Sequence, residues 1–311
     1  MRFEDAIGRL RLPVIAAPMF LVSGPDLVIA AAQTGIIGSF PAPNARTIET
    51  LDRWLADIHA ALEGTDHLWA LNFVTHRSYD RLGPELDLVS RHRPPIVITA
   101  LGSPAPAVRV ARPYGGLVFA DVSTPVQGRK AIDAGADGLV LVCAGAGGHT
   151  GGISPFAFVA EVRRFWSGPL VLAGAVGEAR AILAAQTLGA DLVYMGTRFI
   201  AAAESMASET YRAMLVRANA ADIVQTRAVT GVPGNFLRES LSAAGLDAAS
   251  AAPGIDFAGL ITDGTKAWKH VWSAGQGVGS VTGAAPIATI VSDIEAEYTR
   301  LRRPNDARNV P

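Results

Sequence analysis

The stretch GLVLVCAGAGGHTGG, residues 138–152, begins as an unbroken apolar run and ends as a glycine cluster around one histidine. An apolar run without polar alternation is what a strand covered on both faces requires. The cluster after it makes a different demand. Gly145, Gly147, Gly148, Gly151 and Gly152 flank His149, and glycine costs backbone entropy, so such crowding marks a place where something approaches the main chain closely. A buried strand that opens into a glycine-rich loop with a titratable ring is the pattern of an α/β fold with chemistry at its strand ends.

Similar runs recur on both sides of it. VIAAPM (14–19), IIGSF (36–40), LWALNF (68–73), IVITA (96–100) and GLVFADV (116–122) precede GLVLVCAG (138–145), and LVLAGAV (170–176) and LVYMGTRF (192–199) follow. Several intervening segments read as helices: residues 125–134 end at Gly135 and residues 178–188 at Gly189, where helices commonly stop. Eight strands, each followed by a helical segment, is the count of a (β/α)8 TIM barrel. A doubly wound open sheet shares the spacing; the count together with the site logic below favours the barrel. Residues 203–270 exceed one crossover helix and are expected to form an inserted helical lid or substrate lobe after the eighth strand. The organisation expected is therefore a barrel over 1–202, the lobe over 203–270, and a return segment with a C-terminal helix over 271–311. The apolar spacing of APIATIVSDIEAEYTRL supports that helix.

Composition narrows the class. The chain has 311 residues, half of them hydrophobic and 18% charged, enough for one large core. A net charge of −1 without a long basic block argues against nucleic acid as a partner. Cys143 is the single cysteine, which points to a reducing compartment. No apolar stretch reaches the ~18 residues of a membrane helix, and the first residues lack the pattern of a secretory signal. A soluble, cytoplasmic protein is expected, with an oligomer left open.

If the strands form a barrel, their carboxyl ends carry the chemistry. Those ends present Ala17, Pro18 and Met19, then Asn72, Thr99, Asp121 to Ser123, Gly145 to His149, Gly174 with Ala175, and Gly196 with Thr197. Small residues after the last two strands suit phosphate binding through backbone N–H groups, with the Thr197 hydroxyl as an added donor. Other motifs fail on spacing. A dinucleotide fingerprint from Gly145 would need glycine where Thr150 stands, and there is no G-x-S-x-G or H-E-x-x-H. The histidines form no close ligand pair, so no metal is expected. His149 is the residue suited to proton transfer, because imidazole titrates near neutrality. His76 reads as a loop residue, Trp268 and Trp272 as core packing or pocket walls, and Cys143 as a small buried apolar group.

These residues resemble a known family. AAPM, LNF, AGAGGHTGG, LVLAGAV, LVYMGTRF and the late WSAGQGVG occur in the order seen in FMN-dependent nitronate monooxygenases, formerly called 2-nitropropane dioxygenases. FMN-type enoyl-acyl-carrier-protein reductases and NADH:quinone reductases are relatives of that family. The resemblance implies a TIM barrel holding FMN, with His149 as the catalytic base. It implies that Ala17, Pro18 and Met19 lie along the flavin, that Asn72 hydrogen-bonds it and that Gly147 passes close by. Gly174, Ala175, Gly196 and Thr197 would hold the phosphate, with Tyr194 and Met195 completing that stretch. Four departures bear on the substrate: Val142 replaces a frequent glutamine, Asp121–Val122–Ser123 replaces a polar or basic contact after strand five, Gly174–Ala175 replaces Gly–Gly, and TGVPGNFL (230–237) replaces a Gly-x-Pro-Arg form. The activity implied is oxidation of alkyl nitronates, or nitroalkanes, by O2 to carbonyl compounds and nitrite. The alternatives are an NAD(P)H-dependent reductase of quinones or activated alkenes and, from another class, a phosphate-binding barrel without redox chemistry.

Overall fold

In the computed structural model, which describes residues 2–249 and 271–302, the eight apolar runs close on themselves. β1 (Val14–Ala16), β2 (Ile37–Pro41), β3 (Trp69–Val74), β4 (Ile96–Ala100), β5 (Leu117–Val122), β6 (Gly138–Val142), β8 (Leu170–Ala173) and β9 (Leu192–Met195) form a closed parallel barrel in that order. Closure is made by β9 pairing with β1 through Val14↔Val193, Ile15↔Tyr194 and Ala16↔Met195. The open-sheet alternative is thereby removed. β7 (Gly148–His149) stands outside the barrel.

Strand residues alternate between the barrel interior and the surrounding helices, because side chains on a strand have period two. Ile15, Ala70, Ile98, Phe119, Val140, Val171 and Leu192 share the interior cluster. The residues between them, such as Leu71, Val97 and Leu172, pack outward. The first helix, Phe3–Ile7, closes the amino-terminal end, with Ala6 in the interior cluster and the Phe3 ring 5.9 Å from that of Phe119. The carboxyl-terminal end is left for the site.

The eighth helix of the barrel is displaced far along the sequence. Ile287–Arg302 packs on helices Ala179–Leu188 and Pro25–Gln33, the place a helix directly after β9 would take. Its Tyr298 hydroxyl donates to Gln186 Oε1 at 2.7 Å. Between β9 and this helix lie helix Glu209–Arg217, β10 (Ile223–Thr226), β11 (Gly234–Leu237) and helix Arg238–Ala243. Beside its helices the insertion thus carries a hairpin, and β10, β11 and β7 form a three-stranded antiparallel sheet. Residues 250–270 of the expected lobe, including Trp268 and His270, and the tail 303–311 lie outside the described residues.

The close fit of helix to barrel yields a stability prediction. A Cβ on Gly38 of β2 would lie 2.3 Å from the Val28 carbonyl oxygen of helix Pro25–Gln33. Gly38→Ala should therefore force the helix off the strand and lower unfolding free energy by about 1–3 kcal/mol, read as a lower denaturation midpoint in urea. An unchanged midpoint would show that the helix shifts without cost.

Candidate active site

The carboxyl ends of the strands supply a ring of eight inward-facing residues. Ala17, Pro41, Asn72, Ala100, Asp121, Val142, Ala173 and Tyr194 each lie one inward step above the interior core, and all eight line a cavity of about 810 Å³. This is the floor of the mouth. Five members are small or apolar; Asn72, Asp121 and Tyr194 are the polar ones. Tyr194 is 8% exposed and Asn72 is 7% exposed. The Asn72 amide reaches the Ile98 carbonyl at 3.4 Å.

The rim is held by long-range hydrogen bonds. Asn44 donates to the carbonyls of Met19 and Ser23 at 2.9 and 2.8 Å and accepts from the Leu21 N–H at 2.8 Å. One buried side chain thus fixes the whole loop after β1. Leu21, Leu101 and Ala175 have positive φ of 61°, 61° and 56°, a conformation that costs non-glycine residues energy and gathers at functional sites. All three sit in loops that border the cavity, and Leu101 and Ala175 line it.

The glycine cluster serves two ends. A Cβ on Gly147 would lie 2.7 Å from the Gly275 nitrogen, and one on Gly275 would lie 2.8 Å from the Gly145 carbonyl oxygen. Gln276 N–H donates to that same carbonyl at 2.9 Å. The return segment therefore crosses the loop after β6 backbone against backbone, and Gly275 N–H donates to Thr197 Oγ1 at 2.8 Å. Gly147 is small mainly to admit this crossing, although it also borders the cavity. Gly174, with φ of 150° and the Ala144 carbonyl oxygen 2.9 Å from where a Cβ would stand, turns the chain sharply after β8. That turn is why the apolar run 170–176 yields a strand ending at Ala173. Gly196 differs: a Cβ there would meet nothing closer than 3.6 Å, so its open side faces the cavity it lines.

His149 is placed by the insertion. β11 pairs antiparallel with β7 through Gly234↔His149 and Asn235↔Gly148. Asn235 donates to the Ala146 carbonyl at 2.7 Å, and Thr150 N–H to the Pro233 carbonyl at 3.1 Å. The ring Nε2 lies 3.3 Å from Thr230 Oγ1, and the ring lines the cavity. Burial holds the imidazole below its ordinary value, because the charged form loses hydration. The neutral form that a base needs is thus favoured near neutrality.

Asp121 and Tyr194 carry the other perturbed groups of the floor. Burial pushes the Asp121 carboxyl up to about 7, against a weaker opposing pull from the Tyr194 hydroxyl. Tyr194 is raised well above the ordinary phenol by burial and then by the neighbouring carboxylate. The two face each other without meeting hydrogen-bond geometry: Asp121 Oδ1 and the Tyr194 hydroxyl are buried with no partner among the described residues.

Of the residues singled out in the sequence, Ala17, Pro18, Met19, Asn72, Gly147, His149, Gly174, Ala175, Tyr194, Gly196 and Thr197 are brought to one cavity. Met195 is not. Its neighbour Tyr194 faces the interior, so strand alternation turns Met195 outward into the core under the helices. Trp272 also does not line the cavity; it stacks on Tyr211, which does, at 5.1 Å between ring centroids. His76 sits outside, bonded to Ser78. Cys143 is buried, with its thiol pushed up to about 12 by burial. Among the described residues no cluster could hold a metal ion, and no helix is long and apolar enough to cross a membrane.

A parallel barrel with a titratable ring over its mouth and a glycine-lined far end defines the class, a (β/α)8 barrel with its cavity at the strand ends, and comparison with known proteins narrows it. Residues 70–297 match the family model described as nitronate monooxygenase, and the chain belongs to that family. It is 28% identical to a nitronate monooxygenase of Pseudomonas aeruginosa, with 86% of this chain and 87% of that protein covered. It is 27% identical to a (3aS,4S,5R,7aS)-5-hydroxy-7a-methyl-1-oxo-octahydro-1H-indene-4-carboxyl-CoA dehydrogenase of Mycobacterium tuberculosis over 74% of this chain, and it spans 64% of that protein's length. A solved nitroalkane oxidase from Streptomyces ansochromogenes shares the fold, with a TM-score of 0.80 at 23% identity, covering 95% of this chain and 98% of that one.

The rim generates its own prediction. Asn44→Ala removes three hydrogen bonds at once, each worth about 0.5–1.5 kcal/mol. Loop 17–23 should loosen, with faster amide exchange at Leu21 and Ser23 and a lower unfolding midpoint. Wild-type exchange there would mean that the loop holds its strained shape without Asn44.

Proposed function

We propose that the protein is an FMN-dependent nitronate monooxygenase acting on alkyl nitronates with O2 to give carbonyl compounds and nitrite. The observation that carries this reading is a half-buried His149, its imidazole held below the ordinary value, lining the same cavity as the floor and the Gly174, Gly196 and Thr197 end. The residues present fit the cofactor. A flavin ring system laid on the floor would meet the Asn72 amide among small and apolar side chains. The open side of Gly196 admits a phosphate, and Thr197, which accepts from Gly275 N–H, keeps its hydroxyl proton to donate. When bound, FMN supplies the electron-transfer and oxygen chemistry.

The rest falls to the chain. Ala17 to Met19, in a loop pinned by Asn44, form one wall, and Asn72 offers its amide from the floor. The phosphate end is held by small residues and Thr197. His149 takes the proton from the carbon bearing the nitro group of a neutral nitroalkane, and it orients the anion when a nitronate enters already deprotonated. Apolar lining residues such as Val122, Val142 and Val232 keep water from the site, which strengthens every polar contact inside.

A second reading, an NAD(P)H-dependent reductase of quinones or activated alkenes, is favoured by the dehydrogenase named among the relatives. Anaerobic mixing of the yellow protein with NADH, NADPH or propyl nitronate separates the two. Rapid bleaching by a pyridine nucleotide supports the reductase, and a spectral response to nitronate alone supports the monooxygenase. A well-folded protein that neither carries nor rebinds flavin would overturn both in favour of a phosphate-ligand barrel.

His149→Asn should retain FMN and lose activity on neutral nitroalkanes by about 10²–10⁴-fold, the usual cost of a general base. Activity on preformed nitronates should fall far less. In the wild type the neutral-substrate rate should drop on the acid side with a midpoint below the ordinary histidine value, because the imidazole loses its base form only as pH falls through its lowered pKa. Equal activity of the variant on both substrate forms would return His149 to a loop role.

Gly196→Val tests the phosphate end. Since a Cβ at Gly196 meets only ordinary contacts, the variant should fold, yet its branches should occupy the space of the phosphate. It should purify with little or no flavin. Full flavin content would move the phosphate elsewhere.

A further inference from the structure

The floor contains a carboxylic acid for which the chemistry above has no use. Asp121 projects from β5 beside the other interior residues of that strand, Leu117 and Phe119, and lines the cavity. Its Oδ1 is closed off and unsatisfied among the described residues. Tyr194 of β9 is more than nine-tenths buried, and its hydroxyl, closed off like Oδ1, lies against the Asp121 carboxyl.

Among the described residues no cation balances the acid. The strands on either side of β5 place Ala100 of β4 and Val142 of β6 in the floor, and neither bears a charge. Of the remaining titratable groups lining the cavity, Tyr79, Lys130, His149 and Tyr211, none acts on Asp121; its influences are burial and Tyr194. A carboxylate in such a place keeps its charge only through solvent reaching it from the cavity. A planar ring laid on the floor removes that solvent, and an unpaired charge under these conditions neutralises rather than stays buried.

We propose that Asp121 takes up one proton when a heteroaromatic ring seats on the floor, so that its carboxylic acid, backed by the Tyr194 hydroxyl, holds the ring by a hydrogen bond. Ring binding and proton uptake are then one event. The proposal rests on the flavin reading, with FMN as the ring. It inverts the local electrostatics expected from a basic contact at the end of strand five: here the floor meets the ring with a neutral acid. The elevated position of the free carboxyl, about 7, means that the proton is only partly present before the ring arrives and that uptake is visible above neutrality.

The test is the pH dependence of FMN affinity for the flavin-stripped protein, followed by flavin fluorescence from about pH 7.5 to 9. The FMN phosphate is already a dianion there, so its own proton does not enter. Uptake of one proton weakens binding about tenfold per pH unit. Asp121→Asn carries no titrating proton; it should show a flat profile and bind more tightly than wild type at the alkaline end. Tyr194→Phe should keep the slope but bind several-fold more weakly at every pH. A flat wild-type profile with firm binding overturns the role of Asp121 and leaves the flavin reading standing, as does an Asp121→Asn protein that keeps the wild-type slope. If the wild type binds no FMN at any pH, the flavin reading fails and this proposal fails with it. Should Asp121→Asn not fold, the wild-type slope and a calorimetric proton count in two buffers of different ionisation enthalpy decide the matter alone.

Discussion

The structure depends on one backbone crossing. The return segment runs over the loop after β6 at a separation that leaves no room for side chains, with Gly147 and Gly275 facing each other and Gln276 N–H bonded to the Gly145 carbonyl. The same segment touches the loops after the last two barrel strands. Gly275 N–H reaches Thr197, and a Cβ on Gly277 would stand 2.9 Å from the Ala175 carbonyl oxygen. Three strand ends, brought together by the barrel, are thus strapped by a chain that returns from outside it. The strap turns an open barrel mouth into an enclosed cavity. Without glycine on both sides, the two backbones could not approach within hydrogen-bond distance.

Floor and rim are built by different means. The floor comes from strand alternation: eight residues, one from each barrel strand, are fixed by a ladder that cannot slip one residue without turning every side chain to the other face. The rim comes from loops held in costly conformations. Leu21, Leu101 and Ala175 adopt positive φ there, and buried groups such as Asn44 overrule the local preference of the chain. A ladder-fixed floor beneath a strained rim keeps the positions of Asn72, Asp121 and Tyr194 from following the motions of the loops.

Much of this was legible from local pattern. The apolar runs located all eight barrel strands, because strands buried on both faces leave that mark, and of the strand-end residues singled out all but Thr99 line the cavity. Met195 was misplaced because motif reading ignores parity: a residue adjacent to one that faces the interior must face away. The glycines around His149 read as room for a ligand, whereas Gly147 mainly makes room for Gly275, a partner 128 residues away in sequence. The same distance hid Asn44, Asn235 and Thr230. Each acts on a loop far along the chain, and no local periodicity marks such a residue. Asp121 was visible as a strand-end residue and as a departure from the family pattern; its meaning needed the geometry that sets it against Tyr194 with no cation among the described residues.

The insertion does more than cover the mouth. His149 follows a barrel strand, yet the contacts that orient it come from β11 and Thr230, which belong to the segment after β9. The eight floor residues, by contrast, come from the ends of the barrel strands. The molecule therefore separates the cavity floor from the imidazole above it: a ladder fixes the first, and a hairpin of the insertion places the second. Changes in TGVPGNFL would shift the imbalance between base and substrate while leaving the floor intact. That division explains in physical terms how one barrel can keep its ligand and change the molecule on which it acts.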